Sequence, residues 1–229
     1  MATSNRARSA LLASVVLTAL LYILPFGHLL AWPMVLVSTL AHELGHGLTG
    51  LLFGQRFESI VIYADASGMA RHTGEGGRLV RAATSAGGLL GPAFTAAVLF
   101  SLGRSPQRAH YGLIALSAAL LVVEVLWVRN LFGLCFVGAL AAALALASRG
   151  PRERGQLAVL FVAVQLSLSV FSRADYLFKA EAHTAAGVFP SDTAQIAAAL
   201  FLPYWFWGAV CGAISLLVLG LGMLRFARG

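Results

Sequence analysis

The sequence predicts an all-α polytopic membrane protein, one domain over residues 1–229, with six or seven transmembrane helices and a small β hairpin after the second of them. Three observations carry this. Apolar residues make up 59% of the 229 and charged residues 11%, where a soluble domain carries about a quarter charged residues, and the mean hydropathy is +0.83. A soluble chain of this size needs far more polar surface to cover its core, so lipid is the missing solvent. The apolar residues gather into seven runs near bilayer-spanning length, and the one long polar stretch, 54–78, contains a segment of strand composition.

Each element follows from its residues. Arg6 and Arg8 precede an apolar run over 10–24 that Pro25 stops. This resembles the start of a signal peptide, but no A-x-A cleavage pattern follows, so it is expected to remain as a first span. The run 34–53 has the roughly 20 residues a bilayer requires, yet it contains His42, Glu43 and His46. In 57–64, FESIVIYA has the β-branched and aromatic richness of a strand. Asp65-Ala66-Ser67-Gly68 offers a turn and 69–72 can pair back, a hairpin expected at or near the membrane surface. Apolar runs over 82–102, 111–128, 131–148, 157–178 and 204–224 complete the set, joined by short links such as RSPQR and RGPRER. Small-xxx-small pairs at Gly50/Gly54, Gly87/Gly91 and Gly208/Gly212 would let helices approach closely. Gly87, Gly88, Gly91 and Pro92 would either break their span and free backbone groups for a cavity, or serve that close packing.

Charge and cysteine content exclude several functions. The net charge of +7 comes from arginines scattered singly between apolar runs. Such a pattern sets topology and meets anionic head groups of a lipid bilayer; it does not bind nucleic acid. Cys135 and Cys211 both lie in apolar runs, which leaves no disulfide framework and no cysteine metal cluster.

The chemistry resides in His42-Glu43-Leu44-Gly45-His46, an HExxH sequence. On a helix, histidines at i and i+4 stack on one face about a turn apart, as two ligands of a Zn2+ ion must. Glu43 can then reach water at the metal, as the general base that takes its proton and the acid that hands it on to a leaving amine. Charge in the middle of an apolar span costs at least about 2.5–3.5 kcal/mol on insertion scales and is normally retained for function. A site there lies near the bilayer midplane, so water and an unfolded stretch of substrate must both reach it.

A catalytic zinc site needs a third protein ligand and keeps the fourth position for water. Asp175 is the first choice, with Arg173 nearby as a salt-bridge partner, although a helix over 157–178 puts it near an end. Asp192 opens Asp192-Thr193-Ala194-Gln195, which fits a capping box. Glu124 lies mid-span and could instead pair with Arg129. His28, His110 and His183 fall near span ends, where histidines are more often interfacial or solvated.

At these residues the chain resembles the site-2 protease family of intramembrane zinc metalloproteases, in particular its short M50B-like branch. The resemblance rests on AHELGHGLTGLLFG at 41–54, on FESIVIYADASGMARH after it and on AGGLLGPAF at 86–94. It implies hydrolysis of membrane-embedded or membrane-proximal protein substrates, with His42 and His46 as zinc ligands and Glu43 as the catalytic carboxylate. In the wider family the third ligand is the aspartate of an Asp-Gly pair on a later span, and this sequence has no Asp-Gly pair.

Two rivals belong to other classes: a zinc-binding membrane scaffold without a complete catalytic site, and a transporter using HELGH as a metal or proton relay. The arginine- and alanine-rich composition suggests a bacterial inner membrane. Substrate, orientation and oligomeric state are not encoded legibly.

Overall fold

A computed structural model describes residues 2–172 and 174–228. All seven apolar runs are helical. They form α1 (Ala2–Ile23), α2 (Gly27–Leu52), α3 (Arg78–Leu102), α4 (Pro106–Trp127), α5 (Leu131–Arg149), α6 (Arg152–Ser172) and, after a nine-residue α7 (Asp192–Leu200), α8 (Tyr204–Ala227). Among the described residues, five segments are long and apolar enough to cross a membrane: α3, α4, α5, α8, and α6 together with the 3-10 turn Ala174–Phe178 that follows it. The protein is an integral membrane protein.

α2 and α3 meet backbone to backbone. A Cβ on Gly45 would lie 2.2 Å from the Gly87 carbonyl oxygen, and one on Gly91 would lie 2.3 Å from that of Ala41. The Gly87-to-Pro92 segment therefore serves close packing, and α3 runs on through Pro92 without a break. Proline lacks the N–H that would hold the preceding turn, and Pro92 lines the cavity that His42 and Glu43 also line. Of the other glycine pairs, Gly208 lies against Leu177, whose carbonyl oxygen a Cβ would meet at 2.1 Å. Gly54 instead terminates α2, with φ +79 and nothing for a Cβ to meet within 4 Å.

The expected hairpin is present, as β1 (Arg56–Ile62) antiparallel to β2 (Gly68–Thr73), with Val61 opposite Met69 and Ile60 opposite Ala70. It is not a surface ornament. Ile60 and Ile62 are fully buried in a cluster with Leu36 and Leu40 of α2, Val123 of α4, Val137 of α5 and Val128. The outer edge of β1 is closed by the α4–α5 junction. Trp127 Nε1 donates to the Phe57 carbonyl (2.9 Å) and the Arg129 backbone N–H to that of Ile60 (3.0 Å). The Asn130 carboxamide pairs with both backbone groups of Ile62, accepting at 3.2 Å and donating at 2.7 Å. An open strand edge would leave polar groups unpaired in apolar surroundings; Asn130 acts as a short substitute strand.

A second hairpin, absent from the sequence-based expectation, separates the 3-10 turn from α7: β3 (Glu181–Thr184) pairs with β4 (Gly187–Pro190). Its tip reaches the first hairpin, where the Ala185 N–H donates to Ser67 Oγ at 3.2 Å. The largest core cluster joins α1, α2, α3, α4, α6 and α8 around Phe100, Leu113, Leu160 and Leu166.

Candidate metal centre

α2 carries its two histidines as a helix must, one turn apart, and they turn inward together. His42 Nε2 and His46 Nε2 are 3.1 Å apart. Asp192 completes the group, with Oδ2 3.1 Å from His42 Nε2 and Oδ1 3.3 Å from His46 Nε2. Among the described residues, His42, His46 and Asp192 could hold a metal ion. The spacing suits one: zinc bonds of about 2.0–2.1 Å put neighbouring donors of a tetrahedron about 3.3–3.4 Å apart.

The surroundings fit the same purpose. His46 Nδ1 lies 2.9 Å from the Thr84 carbonyl oxygen on α3. A proton held there leaves Nε2 as a lone-pair donor, the usual arrangement behind a metal-bound imidazole. Gly88 makes room, since a Cβ at that position would lie 2.2 Å from His46 Nε2. Glu43 is buried, 5% exposed. On β2, Gly68 lies so close that a Cβ there would stand 2.8 Å from Glu43 Oε1. On the same strand, burial holds the His72 imidazole below its ordinary pKa.

Asp192 reaches the histidines because the helix cap falls one residue earlier than the sequence suggests. Ser191 is the N-cap, its hydroxyl accepting from the Ala194 N–H at 3.2 Å. Asp192 thus becomes the first residue of α7, released from capping duty and placed where a helix terminus favours negative charge. Ser191 is itself pinned, donating from Oγ to the Lys179 carbonyl at 2.6 Å.

The structure does not bring Asp175 to the histidines. α6 stops at Ser172, so Asp175 lies on the 3-10 turn, exposed and paired with Lys179 at 2.5 Å. The Arg173 partner expected for it lies outside the described residues. Glu124 faces α5, where a Cβ on Gly138 would stand 3.1 Å from its Oε1. Arg129 does not pair with it and bonds instead to the carbonyls of Val125, Leu126 and Val128. His110 links α4 to the Ser148 carbonyl on α5 at 3.0 Å, His183 is exposed on β3, and the side chain of His28 is outside those described.

One neighbour was not singled out by the sequence. Tyr176 on the 3-10 turn donates from its hydroxyl to Asp192 Oδ2 at 3.3 Å, with its ring edge-on to that of His42. A cavity of about 290 Å³ leads to the centre, walled by Thr39, His42, Glu43, Gly68 and Tyr176, with His183 of the second hairpin also in its lining. A larger cavity, about 710 Å³, lies beside the α2–α3 contact and is lined by no ionisable residue; it has no means to do acid–base chemistry.

A family model described as Peptidase M50B-like matches residues 11–222. No curated protein and no solved structure matches the chain.

Proposed function

Because the chain belongs to the Peptidase M50B-like family, we propose that it is an intramembrane zinc endopeptidase that hydrolyses membrane-embedded or membrane-proximal protein substrates. The observation that carries this is the convergence of His42, His46 and Asp192 within hydrogen-bond distance of one another, with Glu43 buried beside them. Asp192, not Asp175, is then the third ligand. Zinc held by these three residues would acidify water and polarise a carbonyl oxygen.

The protein's own groups do the rest. Glu43 takes a proton from the attacking water on its carboxylate and returns it to the nitrogen of the leaving amine. The close backbone of Gly68 limits the directions in which that carboxylate can point. β2 passes beside Glu43, so an extended peptide lying along this strand would present its carbonyls to the centre. Leaving a helical conformation exposes backbone groups that need partners in a bilayer, and a strand edge supplies them. The site lies on α2, packed backbone to backbone against α3, which is long and apolar enough to cross a membrane; this supports proteolysis at membrane depth and fits the bacterial inner membrane proposed from composition.

The test is Glu43→Gln in the full chain, with zinc content and cleavage of a single-span reporter peptide both measured. The expected outcome is zinc retained and cleavage reduced at least about 1,000-fold. Equal cleavage by both forms would refute the role of Glu43. A metal-loaded wild type that cleaves nothing would point to a scaffold, and zinc or proton flux without cleavage to a transporter.

A further inference from the structure

We propose that the Tyr176 hydroxyl is a further catalytic group, one that donates a hydrogen bond to the substrate's carbonyl oxygen as that oxygen becomes anionic; this rests on the peptidase function proposed above. Tyr176 lies on the wall of the cavity that His42 and Glu43 also line, so its side chain borders the space a substrate would enter. Its ring stands edge-on to His42, with centroids 6.2 Å apart.

The hydroxyl proton is poorly used at rest. Its acceptor, Asp192 Oδ2, is 3.3 Å away, whereas O–H···O bonds run from about 2.5 to 3.0 Å. Three other hydroxyls along the cavity are committed to shorter bonds: Thr39 Oγ1 to the Ala66 carbonyl at 2.7 Å, Ser38 Oγ to Ser169 Oγ at 2.8 Å, and Ser67 Oγ to Asp65 at 2.6 Å. Tyr176 has less to lose by turning than any of these three, and its bond ties it to the His42, His46 and Asp192 group. An Asp192 oxygen that shares its lone pair with a cation is also a weaker acceptor than a developing oxyanion, and bonds to an ionised acceptor are roughly twice as strong as neutral ones. The bond therefore strengthens as the reaction proceeds, the condition for accelerating the chemical step rather than only tightening binding. The phenol stays neutral throughout; no proton leaves it.

The experiment uses the full chain, zinc-loaded in lipid vesicles, with a single-span reporter peptide whose helix is interrupted by a Gly-Pro pair, comparing wild type with Tyr176→Phe. The expected result is a kcat about 100-fold lower, KM within about twofold and zinc per chain unchanged. A phosphinic peptide that mimics the tetrahedral anion should bind the variant more weakly by the same factor. An unchanged kcat would overturn the proposal. So would a fall in zinc content parallel to kcat, because Tyr176 would then only position Asp192. If zinc-loaded wild type leaves the reporter intact, the peptidase function fails and this role with it, an outcome distinct from a fast Tyr176→Phe enzyme. Should Tyr176→Phe not fold, 3-fluorotyrosine at position 176, which keeps the hydroxyl and strengthens it as a donor with little added bulk, must alter kcat for the proposal to stand.

Discussion

The imidazole of His46 is held between two features of α3: the Thr84 carbonyl, 2.9 Å from its Nδ1, and Gly88, whose missing side chain leaves the space the ring occupies. A ligand so confined cannot turn without breaking a hydrogen bond or meeting backbone.

Gly88→Ala should therefore weaken zinc binding by about 10–100-fold, the usual cost of disturbing the groups behind a ligand. Titration of the apo protein with zinc checks this. Gly220→Ala is the control, since a Cβ there meets nothing within 4 Å, and it should bind as wild type does.

Asp192→Ala should reduce zinc affinity by about 100-fold or more, whereas Asp175→Ala should leave it unchanged, because Asp175 is exposed and engaged with Lys179. Metal content of the two purified variants distinguishes them directly. Loss of zinc from Asp175→Ala would return that residue to the ligand set.

Gly68→Ala inserts a methyl group 2.8 Å from Glu43 Cγ, Glu43 Oε1 and Thr39 Cγ2. The Glu43 carboxylate has to move, and displacement of a reacting group by about 1 Å can cost roughly 100-fold in rate. The expected signature is normal zinc content with kcat down by about that factor, read from reporter cleavage.

Asn130→Ala removes two hydrogen bonds to Ile62 and leaves buried backbone groups without partners, at a cost of about 1–3 kcal/mol. Faster amide exchange at Ile62 and a lower unfolding temperature should follow, with the zinc ligands intact.

The apolar runs and the HExxH segment were legible in the sequence because each is a local pattern, period and spacing within one helix. The first hairpin was legible for the same reason, down to its turn, although its depth was not: Ile60 and Ile62 lie buried against α2, α4 and α5, and a strand's own residues do not state what covers them. Which acid joins His42 and His46 depends on where helices stop. A run that is apolar to Phe178 gives no sign that α6 ends at Ser172 and turns Asp175 outward. The Ser191/Asp192 pair offers two capping residues in succession, of which only the first caps. The second hairpin is four residues a side with a largely exposed outer strand, too short for alternation to show. Tyr176 was hidden because its role comes from proximity to Asp192, which lies 16 positions away.

His42 and His46 come early in the polypeptide and Asp192 late, with most of the chain between them. An ion gripped by all three would act as a staple that unfolding at either end has to open. At a free concentration a hundred times its Kd, such an ion adds about 2.7 kcal/mol to the folded state. Starving a cell of zinc would then lower the amount of this protein as well as silencing the copies that remain.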